Sequence, residues 1–459
     1  MKTFSRINLL LRLFGVFLFS ILAQVVVAQA PIQYFRQYDQ RGVNVFETSK
    51  NDTVGYDGLK LRVGGNFTQS FQALNHSNES GVPLYDLGNG FPLAQANLNL
   101  DFQLADGVRV NLISYMSSHH HNEMWVKAGF FQIDKVSFLN SQLLNDLWKN
   151  LTLKIGHMEI NYGDAHFRRS DGGNAFWNPF IENNMMDAFA TEIGAELYWQ
   201  KKGFLLMGGM TNGEIQGSVT AQNKRSPSVY GKIGFDRVLA ERTRVRLTGS
   251  FLRKSSSING TLFRGDRTGS NYQFVMEPAA ATLTGNAFAG RLTPNFTDDV
   301  STFVINPFIQ FHGVELFGTL EFAEGNSAVE NGEVQYAATV SDAPRFNKLE
   351  KRKFDQVAVD LLYRFGKGDK FYVGARYNRL SGTQVFGTST TATTAGGISQ
   401  GTRADISQER TAFGGGWFIT RNILLKGEYV TQKYNDYPTG DILQGGKFDG
   451  FVFQGSIAF

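Results

Sequence analysis

Three features of the sequence point to an all-β chain closed into a transmembrane antiparallel up-and-down β-barrel of about 16 strands. Apolar and polar residues alternate with period two, the alternating segments recur over residues 58–459, and short connections between them alternate with long ones. A barrel wall needs roughly 9 to 11 residues per strand, with an apolar side chain facing lipid at every second position. A soluble sandwich alternates too, so the spacing of the segments is what discriminates.

Composition narrows the alternatives. The 459 residues include no cysteine, which excludes disulfide scaffolds, zinc ribbons and cysteine-based catalysis. With 50 glycines and 10 prolines the chain is close to the globular background, so collagen-like or wholly disordered classes do not fit. Aromatics are abundant, with 40 Phe, 16 Tyr and 5 Trp.

Residues 1–30 read as a signal peptide. Lys2, Arg6 and Arg12 lead into an apolar run at residues 13–23, continued by Val25, Val26 and Val27, and Ala28-Gln29-Ala30 supplies a small-x-small cleavage pattern. A membrane anchor is the alternative, but its apolar core would be short. The leader holds three of the 45 basic residues and none of the 41 acidic ones, so a processed chain has nearly balanced charge. With no basic block either, nucleic acid is not an expected partner. Beyond the leader nothing approaches 18 consecutive apolar residues, so no spanning helix is expected.

The wall segments show their two faces plainly. Leu59, Leu61, Val63 and Phe67 alternate with Lys60, Arg62, Asn66 and Thr68, and Leu98, Leu100, Phe102 and Leu104 with Asn97, Asn99, Asp101 and Gln103. The same holds for Ile193, Ala195, Leu197 and Trp199, for Val245, Leu247 and Phe251, and for Val357, Val359, Leu361 and Tyr363. Sixteen such strands are expected near residues 58–73, 92–105, 107–117, 122–133, 150–160, 188–201, 203–212, 229–239, 243–254, 301–312, 313–323, 353–366, 370–380, 406–419, 421–432 and 447–459.

Tight links at Ala105-Asp106-Gly107, Lys201-Lys202-Gly203, Ala240-Glu241-Arg242, His312-Gly313, 366–369 and Thr420-Arg421-Asn422 all fall at one end. The exception there is residues 134–149, where Leu143, Leu144 and Leu147 suggest a short helix. Residues 272–292 are assigned to a long loop, and an 18-strand count stays open if they contribute strands. Residues 31–57, with Tyr34, Phe35, Tyr38 and Phe46, form a separate N-terminal segment, either a periplasmic tail, a lumen plug or a partner-binding stretch.

The last strand places Phe451, Phe453, Ile457 and the terminal Phe459 on one face. This resembles the C-terminal signal of outer-membrane proteins, and the layout of the whole mature chain resembles Gram-negative outer-membrane porins. Within that group it is distantly similar to the phosphate-selective porins, with Leu153-Lys154-Ile155-Gly156 leading through His157-Met158-Glu159 into a polar glycine-containing loop. The resemblance implies a cell outer-membrane location and passive diffusion of small hydrophilic solutes or ions through a water-filled lumen, with no cofactor and no enzyme activity. It also implies outer-membrane lipid as surroundings, barrel-assembly machinery reading the strand that ends in Phe459, and a homotrimer as one assembly. A plugged or structural barrel within a larger outer-membrane complex is the alternative.

In general porins the third long loop folds inward and sets the constriction, and residues 161–187 occupy that place. Opposed charges across a narrowing order dipolar solutes and filter ions by sign, which makes Asp164, His166, Arg168, Arg169 and Asp171 the constriction candidates. The other reading is that these charges solvate an exposed loop. Parity assigns Lys60, Arg62, Arg109, Lys154, Lys232, Arg244, Arg246, Arg364, Arg376 and Lys426 to the lumen, with Asp101, Glu192, Glu196, Asp236, Glu315, Glu321, Asp360 and Glu428 as inward acids. So mixed a lining supports no strict phosphate selectivity and at most a weak preference for anions; as wall ion pairs the same residues would only stiffen the barrel.

Other groupings are weaker. In His119-His120-His121 only His119 and His121 could share a face and bind a metal. His157 and Glu159 share parity with Leu153 and Ile155, which requires a bulge or an early exit from the hydrocarbon. Gly414, Gly415 and Gly416 match no phosphate loop and suit a strand that bends or makes room. The serine- and threonine-rich run 387–397 reads as loop. For a hydrolase, Ser114 and Tyr115 beside the histidines, or His166 near Ser170 and Asp171, are the available groupings, and neither sits in a recognisable motif.

Overall fold

The structure is a computed structural model that describes residues 31–117, 123–171, 173–214, 226–255, 260–264, 273–282, 285–286, 291–331, 347–388 and 399–459. The leader at 1–30, the histidines at 119–121 and most of the 387–397 run lie outside those residues.

Sixteen strands close into one antiparallel barrel, each hydrogen-bonded to its sequence neighbours and the first to the last. They are β1 (Lys60–Ser77), β2 (Gln95–Ala105), β3 (Val108–Met116), β4 (Trp125–Ile133), β5 (Leu151–Glu159), β6 (Thr191–Lys201), β7 (Phe204–Thr211), β8 (Ser228–Ala240), β9 (Thr243–Lys254), β10 (Asp298–Phe311), β11 (Val314–Asn326), β12 (Arg352–Phe365), β13 (Phe371–Phe386), β14 (Thr402–Thr420), β15 (Ile423–Asn435) and β16 (Lys447–Ala458). The described part of residues 272–292 adds only an isolated bridge, Leu84 to Pro278, which settles the count at sixteen among the described residues.

The short turns gathered at one end are tight because their residues adopt positive φ. Lys202-Gly203 (φ 51° and 86°) and His312-Gly313 (φ 47° and 95°) both place two successive residues there, as the tight hairpin turns that match strand twist require. The one long connection at this end carries helix α1 (Gln142–Trp148), whose first turn is capped by Ser141. The seam is sealed by the chain terminus: Phe459 and Gly65 exchange backbone hydrogen bonds of 3.0 and 3.1 Å.

Alternation is strictest in β12, where every second residue from Arg352 to Arg364 is buried and the intervening ones are exposed. The exposed set, with Val357, Val359 and Leu361, continues around the wall through Leu98, Phe131, Leu197, Ile233, Leu247 and Phe453. Near the short-turn end Tyr363, Phe365, Phe371 and Trp417 stack side by side on the outer surface, with ring centroids 5.6–6.0 Å apart. An apolar outer band with an aromatic girdle is the architecture a lipid bilayer demands of a β protein, since closure leaves no backbone group unpaired.

Two local features adjust the wall. In β14, Gly416 lies under the Tyr372 ring; a Cβ there would sit 2.3 Å from a ring carbon. Gly416 makes room for an inward aromatic. In β5 the register against β6 runs unbroken from Leu151↔Trp199 to Glu159↔Thr191, so His157 keeps the phase of Ile155, but pairing with β4 ends at His157 and Glu159 beyond it turns to His166 in the interior.

Candidate functional site: the barrel interior

The interior is built from three sources: the inward faces of the strands, residues 31–57 and residues 160–190. A single polar strand face cannot satisfy a buried charge by itself, so each inward charge takes its partner from one of the two irregular segments or from a neighbouring strand.

The N-terminal segment is tied to the short-turn half of the wall. The Gln33 amide donates to Gln103 Oε1 at 2.9 Å, and Gly107 of the β2–β3 turn donates to Gln33 Oε1 at 2.8 Å. Tyr38 donates to Asp101 at 2.9 Å, and its ring lies so close to Gly64 that a Cβ would meet it at 2.6 Å. Gln40 bonds the Arg421 carbonyl of the β14–β15 turn at 3.0 Å. Asn44 donates to Glu315 at 2.6 Å, Glu47 accepts from Arg246 at 2.7 Å, and Lys50 donates to the Leu151 carbonyl at 2.6 Å. These partners come from strands and turns all around the barrel.

Residues 160–190 are attached in the same way. Asp164 forms a bidentate pair with Arg246 (2.7 and 2.9 Å) and accepts from Lys232 (2.9 Å) and Thr248 (2.7 Å). A short 3-10 turn over Ala165–Arg168 follows. Arg168 donates to Glu315 at 2.7 Å and to Asn44. Arg169 pairs with Asp187 at 2.6 Å, and Asp171 with Lys127. Further along, Met185 and Met186 donate backbone hydrogen bonds to Asn378 (2.7 Å) and Gln356 (2.9 Å). Lys426 donates to the carbonyls of Ala175 and Phe180, both at 3.0 Å, and Glu428 accepts from the Ile181 amide at 2.8 Å.

The remaining inward charges pair with each other or with these segments. Arg376 bonds Asp360 at 2.6 Å and the Glu182 carbonyl at 2.7 Å, Arg364 bonds Glu315 at 2.8 Å, and Arg244 bonds Asp236 at 2.6 Å and the Asn44 carbonyl at 2.8 Å. Glu196 accepts from Tyr230 at 2.9 Å and from the Asn161 amide at 2.8 Å, Glu192 accepts from Thr211, and Lys60 pairs with Asp57 at 2.6 Å. Arg62 lies over the Phe35 and Tyr38 rings at 4.8 and 5.3 Å.

Burial and charge act against each other at the attachment points. Burial pushes the Glu47 carboxyl up, but Arg246 and Lys232 outweigh it and bring it down to about 2. Asp164 is held below the ordinary aspartate range by the same balance. Burial also lowers His166, against the opposing pull of Glu159.

Two cavities survive between this packing and the inner face of β2–β6, one of about 150 Å³ toward the short-turn end and one of about 190 Å³. Arg36, Arg109, Phe130, Lys154, His166 and Phe167 line both. Of the five loop residues singled out by sequence, Asp164, Arg168, Arg169 and Asp171 are buried in ion pairs, while His166 borders both cavities and Asp171 one. His166 bonds Asn161 at 2.9 Å and faces Glu159 at 3.3 Å, whereas Ser170 bonds the Ile181 carbonyl at 3.1 Å. The described contacts do not make the two a nucleophile and base.

Sequence reasoning did not single out Arg36, Glu47, Lys127 or Phe130. Lys127 turns inward because the β3–β4 register skips a residue between Val126 and Ala128, a bulge that breaks the period-two rule. Residues 31–57 carry no periodicity that would report where their charges point.

No family model and no curated protein matches the chain. Among solved structures, an anion-selective porin from Comamonas acidovorans is similar over 87% of this chain and 100% of its own, with a TM-score of 0.51 and 11% identity. OmpT of Vibrio cholerae (88% and 99%, TM-score 0.47, 11% identity) and OprB of Pseudomonas putida (88% and 94%, 0.47, 10%) superpose less well. At such identity the likeness is one of fold: the chain has the closed 16-strand barrel of outer-membrane porins, and its apolar belt suits the outer membrane.

Proposed function

We propose that the protein is an outer-membrane channel through which small hydrophilic solutes or ions diffuse passively, its lumen narrowed from the long-loop side by residues 161–187 and floored from the short-turn side by residues 31–57. The observation that carries this reading is the pair of cavities in series along β2–β6, both bordered by the same six residues. Asp164, Arg168, Arg169 and Asp171 then act as fasteners of the narrowing loop, and His166 faces the path. The other lumen charges, Lys60, Arg62, Asp101, Glu196, Arg244, Arg246, Asp360, Arg364, Arg376, Lys426 and Glu428, hold the two inserts to the wall, Glu192 ties wall strand to wall strand through Thr211, and Lys154 faces the solute. Homotrimeric assembly and recognition of β16 by the barrel-assembly machinery complete the proposal; cross-linking in micelles tests the first, and loss of membrane insertion on deleting Phe459 tests the second.

The deciding experiment is planar-bilayer recording of the folded mature chain under a salt gradient. Stepwise ohmic currents are expected. A silent barrel, shown folded by heat-modifiable migration, would support the second reading, a plugged component of an outer-membrane complex. The observation favouring that alternative is the density of bonds joining both inserts to the wall.

A further inference from the structure

We infer that the waist shared by the two cavities is a binding site for a small organic carboxylate with a compact apolar body. The inference rests on the channel reading for its place on the permeation path, though the site can be tested without it.

Three cations meet at this waist, and none is hydrogen-bonded to a carboxylate, although Glu47 borders one cavity and Asp101 and Glu159 the other. Lys154 is 3.5 Å from Glu196, whose oxygens already accept from the Asn161 amide, Tyr230 and Tyr198, and no hydrogen bond of the Lys154 ammonium occurs among the described residues. Arg109 donates to the neutral Gln132 side chain at 2.6 Å and stands 3.9 Å from Asp101, while its buried Nε finds no acceptor. Asp101 is itself taken by Tyr38 and Asn111, at 2.9 and 2.7 Å. Arg36, brought in by the N-terminal segment, donates only to the Gly42 and Phe167 carbonyls at 2.9 and 2.8 Å, and its guanidinium lies 3.5 Å over the Trp177 ring.

Lys426 also bonds only carbonyls, but three interior arginines show the closer arrangement. Arg246, Arg364 and Arg376 each hold a carboxylate at 2.8 Å or less. A buried cation that lacks its carboxylate is costly, because desolvation is not offset. Here the missing partner is supplied by an anion from solution. Two cationic donors bordering one cavity favour a carboxylate, which accepts from both at once.

The rest of the waist selects the body of that anion. The Phe130 ring is within reach of both cations, with Lys154 at 4.7 Å and Arg109 at 5.9 Å from its centroid, and Phe167 lines the same cavities. A solute held by its carboxylate at Lys154 and Arg109 places its apolar part between the two phenyl rings, where a hydrated inorganic ion gains nothing.

The test uses the full mature chain in detergent and in planar bilayers, with sodium benzoate as the probe and benzylammonium chloride as its cationic counterpart. Calorimetry is expected to show benzoate binding and none by benzylammonium. Lys154→Gln and Arg109→Gln should each weaken benzoate by about tenfold or more, the loss of one charge-assisted hydrogen bond. Arg36→Gln, in the N-terminal segment rather than the wall, serves if a wall variant fails to fold, and Lys149→Gln in the β4–β5 connection is the unaffected control. In bilayers the same variants should shift the reversal potential toward cations.

Unchanged benzoate affinity and unchanged selectivity in folded variants would overturn the inference while leaving the channel reading intact. Benzoate binding that the variants abolish in a barrel carrying no current would uphold the site and overturn the channel.

Discussion

Arg246 and Asp164 form a two-point pair, Nε to Oδ2 at 2.7 Å and Nη2 to Oδ1 at 2.9 Å, that joins residues 160–190 to the wall at β9. Arg246 also holds Glu47 of the N-terminal segment at 2.7 Å, so one guanidinium fastens both inserts. Removing the acid takes two of the four hydrogen bonds of this buried guanidinium and leaves it Glu47 and Asp236. Asp164→Ala is expected to lower stability by about 3–5 kcal/mol, the usual cost of breaking a buried pair. Urea unfolding in micelles measures it, and a change within error of zero would mean that the pair does not hold the loop.

Residues 31–57 are attached mostly through side chains, so the attachment can be loosened without touching the wall. The double variant Tyr38→Ala, Glu47→Ala loses the bonds to Asp101, Arg246 and Lys232. Larger single-channel conductance than wild type is expected, with unaltered heat-modifiable migration. Equal conductance would place the segment outside the rate-limiting part of the path.

The same attachment depends on pH with a definite sign. Glu47 sits at about 2, against an ordinary value of 4.5, so its folded state prefers the ionised form. Its contribution is therefore complete above about pH 5 and fades as the pH falls from there toward 2. Asp164 shifts in the same direction. Conductance should stay level from neutral pH down to about 5 and rise below it, and Glu47→Gln should flatten that rise. A transition centred near pH 7 in the wild type would contradict the assignment.

The outer face offers a test of orientation. Val359, in the middle of β12, faces outward between the buried Ala358 and Asp360. Val359→Arg should cost about 2–4 kcal/mol in lipid, because a charge at mid-bilayer depth has no polar partner. Lys353→Arg, at the end of the same strand, should cost almost nothing. Folding equilibria in lipid vesicles distinguish the two.

Much of this molecule was legible along the chain. Period-two alternation is set by each residue's position on its own strand, and turn chemistry by two or three neighbouring residues. The sixteen strands, the single end that gathers the tight turns, the α1 helix among Leu143, Leu144 and Leu147, and the inward phase of Arg62, Asp101 and Arg246 therefore all followed from local pattern. Parity could say that a charge points inward, but not whether Arg364 would find Glu315 or water.

That second decision belongs to tertiary structure. Residues 31–57 and 160–190 have no period, and their course is governed by which buried groups across the barrel need a partner, a property of distant residues brought together by closure. Lys127 shows the same limit within a strand: a one-residue register skip against β3 turns it inward, and only pairing with a neighbour can reveal such a skip. Sequence alone determined a lipid-facing cylinder with a charged lining; closure of the wall around two irregular inserts decided which charges are consumed in pairs and left Arg36, Arg109 and Lys154 at a waist with no carboxylate hydrogen-bonded to them, because electrostatic satisfaction in a buried space is settled by three-dimensional proximity rather than by order along the chain.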